Sequence, residues 1–253
     1  MKLALMQMDI AWEDKEKNLL KAEKLLEKAV EHECSIAVFP EMFATGFSMN
    51  AEKIAEAEKG SVVSTLCRLA AEQGIAIIAG VAVKTEDSFE NRAYVIDSDG
   101  KIVDFYTKNY GFSYSGEDQV FSSGDRQIVF EIEDIEASVF ICYDLRFPEL
   151  FRNVARKVSV FFVIANWPDS RIDQWDALLK ARAIENQCFV VAVNRKGIDG
   201  NGLKYNGHST VYSPSGDEID LFRLDGECRC FEIDEGETAF VRQRFPFLRD
   251  MRL

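Results

Sequence analysis

Between Asp14 and Glu33 apolar side chains return at Leu19, Leu20, Leu25, Leu26, Ala29 and Val30, with lysines and glutamates between them. That spacing is the period of a helix burying one face, so it predicts an amphipathic helix laid over a sheet. The opening run MKLALMQMDI is apolar until Asp9 interrupts it, and reads as a first strand. SIAVFPE follows as a short strand, Ser61 to Gln73 as a second helix closed by Gly74, and IAIIAGVAV as a buried strand. YVIDSDGKIVDF places Asp-Gly between two alternating segments, the pattern of an antiparallel hairpin.

The second half repeats the alternation. ASVFIC, VSVFFVIAN and FVVAVN read as strands; Pro148 to Arg156 and Ile172 to Asn186 read as helices. STVYSPSGDEIDLF predicts a second hairpin around Pro-Ser-Gly, and RLDGECRCFEI a strand with Cys228 and Cys230 on one side. Helix-strand alternation mixed with hairpins implies sheets with both parallel and antiparallel pairs and helices outside them. The expected fold class is α/β with mixed sheets and helices on the outer faces. Neither a Pro- or Ser-rich linker nor a low-complexity segment divides the chain, so one domain spans 1–253, with a C-terminal extension from about 236. That tail is polar and aromatic without a clear period, and is expected to lie along a surface or a partner subunit.

At 253 residues and 47% hydrophobic content the chain can bury a sizeable core. Thirty basic against 43 acidic residues leave a net charge of -13, which disfavours nucleic acid and anionic membranes as partners. An anionic small substrate would need a local cationic pocket. The N-terminal apolar run is too short for a signal-peptide core, and no later run is long enough to span a bilayer. Six scattered cysteines with no CxxC pair, beside two histidines, point to a reduced cytoplasm and no zinc site.

Three strands end in chemistry: SIAVFP in Glu41, SVFI in Cys142, and VFFVIA in Asn166-Trp167. The carboxyl ends of strands in α/β sheets are where ligands bind, so these ends are expected to converge on one pocket. Taken singly, a glutamate after a strand is a solvated loop carboxylate and a cysteine in an apolar run is a core thiol. Their combination is what points to a site. A thiol at the end of a buried strand and the approach to a helix is rigidly held beside backbone N–H groups that can bind an oxyanion.

Phe39-Pro40-Glu41 with Gly46-Phe47, Tyr106-Thr107-Lys108, and Cys142-Tyr143-Asp144-Leu145-Arg146-Phe147-Pro148-Glu149 occur in that order. In these three motifs, and nearly end to end, the chain resembles the nitrilase superfamily of carbon-nitrogen hydrolases. The resemblance implies that the mixed sheets and outer helices are arranged as an αββα sandwich. It also implies Glu41 as general base, Lys108 as catalytic lysine, Cys142 as nucleophile and Glu117 as the second glutamate. A thiolate attacks an amide well once its proton is removed, and a carboxylate of raised proton affinity would take that proton, return it to departing ammonia and then activate water. Lys108 would favour the thiolate and, with the backbone N–H of Tyr143, hold the oxyanion. Family members commonly read Lys-x-His, whereas here Tyr110 stands in place of the histidine, which bears on the local support of Lys108.

ANWPDSR, WDALLKARAIENQ and NRKGIDGNG resemble the omega-amidase branch, which deamidates 2-oxo dicarboxylate monoamides such as 2-oxoglutaramate. Asn166, Trp167 and Arg171 then become the substrate-binding residues, Arg171 meeting a substrate carboxylate. No metal or organic cofactor is implied, and a homodimer is. Alternatives are hydrolysis of another amide, a carbamoyl group or a nitrile, or a non-catalytic ligand-binding role. Among other residues, His208 is the alternative base for Cys142, though it reads as structural, and His32 reads as solvated. Arg146 is expected to pair with a carboxylate, and Trp12 and Trp175 to serve as core or helix-face residues.

Overall fold

Alternate residues of the first strand serve opposite layers. In Lys2–Met6, Leu3 and Leu5 pack into the core between two sheets, whereas Ala4 and Met6 pack beneath two helices. The structure, a computed structural model, describes residues 1–252. Its larger sheet runs Phe222–Arg223, Cys228–Glu232, Lys2–Met6, Ile36–Val38, Ala76–Lys84, Phe89–Ile96 and Ile102–Thr107, with Glu56–Ala57 added beside Ala76–Lys84. The smaller sheet runs Thr210–Tyr212, Phe189–Asn194, Val160–Ala165, Ile135–Ile141 and Phe130–Ile132. Each has parallel strands at its centre and antiparallel strands toward its edges. The protein is the expected αββα sandwich with mixed sheets. Burying each aliphatic side chain of the shared core contributes about 1.5–3 kcal/mol, which is what holds the sheets face to face.

Helix Lys15–Glu31 begins where the Asp14 side chain accepts from the Lys17 N–H at 3.1 Å, and it turns Leu25, Leu26 and Ala29 inward. Helix Ser61–Gln73 ends at Gly74, whose φ of 64° favours glycine. On the other face lie Pro148–Val154 and Ile172–Asn186. No helix among the described residues is long and apolar enough to cross a membrane.

Two expectations are sharpened. The hairpin around Pro-Ser-Gly is short: Tyr212 pairs with Glu218 in a single antiparallel bridge and Ile219 donates to the Val211 carbonyl, after which the chain crosses to the larger sheet at Phe222–Arg223. The tail, in which no clear period is legible, contains the helix Glu235–Arg244, started by the Asp234 side chain accepting from the Gly236 N–H at 2.9 Å. Arg242 anchors it by donating to the carbonyls of Ala155, Val158, Asn186 and Gln187, so it lies along this chain's own surface. A helix held largely by main-chain contacts of the half-buried Arg242 has little apolar period to read. Cys228 and Cys230 do face one side, under the helices.

Candidate active site

Glu41 and Lys108 come from the larger sheet, just past Ile36–Val38 and Ile102–Thr107; Cys142 and Asn166 follow Ile135–Ile141 and Val160–Ala165 of the smaller one. The site therefore sits where the carboxyl ends of both sheets meet. Gly80 permits this approach, since a Cβ there would stand 2.6 Å from the Glu41 Cα.

Lys108 Nζ donates to Glu41 Oε1 at 2.8 Å and to Glu117 Oε1 and Oε2 at 3.0 and 2.8 Å. All three side chains are buried. Glu41 Oε2 accepts from the Asn166 backbone N–H at 3.0 Å and from Asn166 Nδ2 at 3.2 Å, and Nδ2 also donates to the Glu41 carbonyl at 2.7 Å. Asn166 thus spends its amide on the glutamate while still lining the cavity. The Cys142 thiol points to the Asn166 carbonyl, 3.9 Å away. Cys142 has φ of 47°, in the left-handed region, and opens the short 3-10 turn Cys142–Arg146. Tyr143 occupies the first turn of that helix, where N–H groups lack an intrahelical acceptor.

Charge distribution departs from the expectation of a basic Glu41. Burial raises its pKa, but the Lys108 charge and donors from Lys108, Asn91 and Asn166 outweigh it and hold the carboxyl below the usual range. Burial and the negative charge of Glu41 push the Cys142 thiol well up, Lys108 opposing and Glu117 adding to the rise. The resting pair is consequently thiol and carboxylate. Two carboxylates already face one ammonium, and a thiolate would add a further negative charge.

Asp144 and Asn91 were missed by sequence reasoning. Asp144 accepts from the Ile141 and Tyr110 N–H groups at 3.0 and 2.9 Å and from the Tyr106 hydroxyl at 2.9 Å, tying the cysteine turn to the lysine strand. Its place inside the Cys142 motif was the available signal. The Tyr110 ring stacks on Phe147 with centroids 3.6 Å apart, and its hydroxyl donates to Glu149; Lys108 is supported instead by Glu41 and Glu117.

The cavity over Cys142 has a volume of about 630 Å³, the size of a small-molecule site. Phe47, Phe112, Tyr143 and Trp167 supply apolar walls; Arg146 and Arg171 add two guanidinium groups. Arg171 lies over the Phe112 ring at 5.4 Å. Arg146 does not pair with a carboxylate: it donates to Gln174 Oε1 at 2.6 Å and lies over Trp167 at 4.9 Å. Trp12 also lines the cavity, whereas Trp175 is buried with its N–H donated to the His208 carbonyl. His208 is exposed, 3.2 Å from Asp176 and away from the cavity lining, and His32 is exposed as expected. Among the described residues no group of three or more His, Cys, Asp or Glu side chains is placed to hold a metal ion.

The carbon-nitrogen hydrolase family matches residues 2–221. This chain belongs to that family. The hydrolase is 37% identical over 254 residues to a 2-oxoglutaramate amidase of Bacillus subtilis (strain 168), covering 99% of this chain and 97% of the relative. It is 35% identical over 257 residues to the omega-amidase YafV of Escherichia coli (strain K12), covering 99% and 96%. A solved CN-hydrolase superfamily protein of Xanthomonas campestris, with an arsenic adduct in its active site, superposes with a TM-score of 0.94 at 33% identity, covering 100% of this chain and 97% of that one. The hydrolase is an enzyme of the nitrilase superfamily acting on non-peptide amides.

Proposed function

We propose that this amide hydrolase removes the distal amide of 2-oxo dicarboxylate monoamides such as 2-oxoglutaramate. The carrying observation is that the cavity over Cys142 holds two guanidinium groups, Arg146 and Arg171, with no ion-pair partner among the described residues, in a chain of net charge -13. Unpaired cations in an acidic protein suit an anionic ligand, and a guanidinium can hold a carboxylate by two parallel hydrogen bonds. The names of two relatives point the same way.

In this reading Glu41 takes the Cys142 proton as the sulfur attacks the amide carbonyl. Lys108 stabilises the oxyanion by its charge and the Tyr143 N–H by hydrogen bonding. The tetrahedral adduct collapses by breaking the C–N bond, and the Glu41 proton leaves with ammonia. Water, deprotonated by Glu41, then attacks the thioester, releasing the acid and restoring the thiol. Because the resting thiol and carboxylate are both stable as they stand, proton transfer accompanies attack instead of preceding it.

The test is ammonia release from 2-oxoglutaramate beside an uncharged amide of equal length. A preference of at least about 100-fold in kcat/KM for the anion is expected, corresponding to about 2.7 kcal/mol. Equal or faster turnover of neutral amides or nitriles overturns the assignment. We also propose a homodimer with Phe245-Pro246-Phe247 near the partner, since Phe240, Phe245 and Phe247 remain 60%, 45% and 64% exposed. A monomeric mass by light scattering at micromolar concentration overturns that.

A further inference from the structure

We propose that Asn91 is a positioning residue of the reaction: its side-chain amide locks the Glu41 and Glu117 carboxylates around Lys108 and keeps Glu41 ionised and aimed at the nucleophile. The proposal rests on the reading of Glu41 as the base.

Asn91 lies within the strand Phe89–Ile96, paired with Ala82 on one side, and is almost fully buried. Its Nδ2 donates to Glu41 Oε1 at 2.8 Å and to Glu117 Oε1 at 3.0 Å. Lys108 Nζ donates to the same two oxygens, at 2.8 and 3.0 Å. Two donors and two acceptors therefore close a ring in which the amide does neutrally what the ammonium does with charge. The Asn91 carbonyl also accepts from the Lys108 backbone N–H at 2.9 Å, so one residue holds the lysine's main chain and both of its counterions.

What Asn91 gives up is informative. Its Oδ1 is buried without a hydrogen-bond partner. An orphaned buried acceptor is unfavourable, so the side chain is explained by its two N–H donors. Without them two carboxylates would face each other across a single ammonium, and like charges at that range drive one to take a proton. A Glu41 that holds a proton at rest cannot accept one from the thiol.

The remaining groups facing Glu41 are fixed: Lys108, Glu117 and the Cys142 thiol, with Asp144 beyond them on the cysteine turn. Asn91 is the neutral member whose replacement changes the count of donors without removing a charge.

The experiment compares pH profiles of kcat/KM for wild type, Asn91→Leu and Asn91→Asp, using whichever amide the wild type turns over fastest. Folding is checked by thermal melting. The acid limb, which reports Glu41 ionisation in the free enzyme, should move up by about one pH unit in Asn91→Leu and further in Asn91→Asp, where a third carboxylate joins the cluster. At a pH below the limb, moving the limb up by one pH unit reads as about a tenfold loss of kcat/KM. A folded variant whose limb coincides with that of the wild type, or whose loss is the same at every pH, overturns the proposal. Asn91→Asp, matched in volume, decides the matter if Asn91→Leu does not fold. Glu41→Gln is run alongside: an active Glu41→Gln enzyme overturns the base assignment itself, whereas an inactive one beside Asn91 variants with unmoved limbs overturns only the role of Asn91.

Discussion

The Tyr106 hydroxyl donates to Asp144 Oδ2 across 2.9 Å, and through that bond the strand leading to Lys108 grips the turn that carries Cys142. Asp144 is completely buried, and burial pushes its carboxyl up to about 7 despite Lys108 and three hydrogen-bond donors. The folded protein thus keeps a proton that the unfolded chain releases near pH 4. Between those values the native state binds more protons, so stability falls as pH rises, by on the order of 4 kcal/mol once above pH 7. Asp144→Asn removes this slope. Denaturant melts of both proteins at pH 5 and pH 8 test it; parallel pH dependences would show that Asp144 is already ionised at pH 5.

Cys142→Ala should lower turnover by at least about 10³-fold while leaving the fold intact. Because Cys142 has φ of 47°, where an L side chain is strained by about 1 kcal/mol or more, Cys142→Gly should be at least as stable as Cys142→Ala. Cys34 and Cys228 have thiols pushed up to about 12 by burial first, and their Ala variants should show packing losses only. An active Cys142→Ala enzyme would remove the nucleophile from the scheme.

Glu41→Gln should bind substrate but fail to acylate, since an amide cannot carry the proton. Quenched-flow mass measurements would detect any thioester. If one forms at the wild-type rate, another base is at work, and it is not His208, which stands exposed beside Asp176.

Arg171→Met should raise KM for 2-oxoglutaramate about 100-fold or more and spare uncharged amides, a loss comparable to a charge-assisted pair. Arg146→Met serves as the comparison because it shares the cavity. Equal losses on charged and neutral substrates would make Arg171 a structural residue held over Phe112.

Arg242→Met should destabilise the protein by about 2–4 kcal/mol, because four main-chain carbonyls lose a charged donor. Specific activity of the folded fraction should be unchanged. A loss of activity with unaltered melting would relocate the importance of the tail to the active site.

What could be read from the chain was whatever local spacing encodes. The helix Ser61–Gln73 and the strand Phe189–Asn194 occur where their periods placed them, and Glu41 and Cys142, marked by strands ending in a reactive group, meet Lys108, marked only by the family resemblance. Asn91 stayed invisible because its value comes from register: only the pairing of Phe89–Ile96 with its neighbours turns an ordinary strand asparagine toward two glutamates. Arg146 looked like a carboxylate partner because its motif is acidic, yet the stacking on Trp167 depends on a strand in a different part of the chain. Trp12 was expected to be a core or helix-face residue, but the glycines at 46 and 200 leave room for it at the cavity wall.

The strand Lys2–Met6 lies inside its sheet, with Ile36–Val38 on one side and Cys228–Glu232 on the other, so that Lys2 stands opposite Glu232. During synthesis its first neighbour emerges early and its second only after nearly all the described residues have left the ribosome. Until then one rim of the sheet remains unpaired, a template on which another nascent chain can build. The nascent chain is thus open to aggregation until Cys228–Glu232 has been made, and truncation before Cys228 would expose that rim permanently.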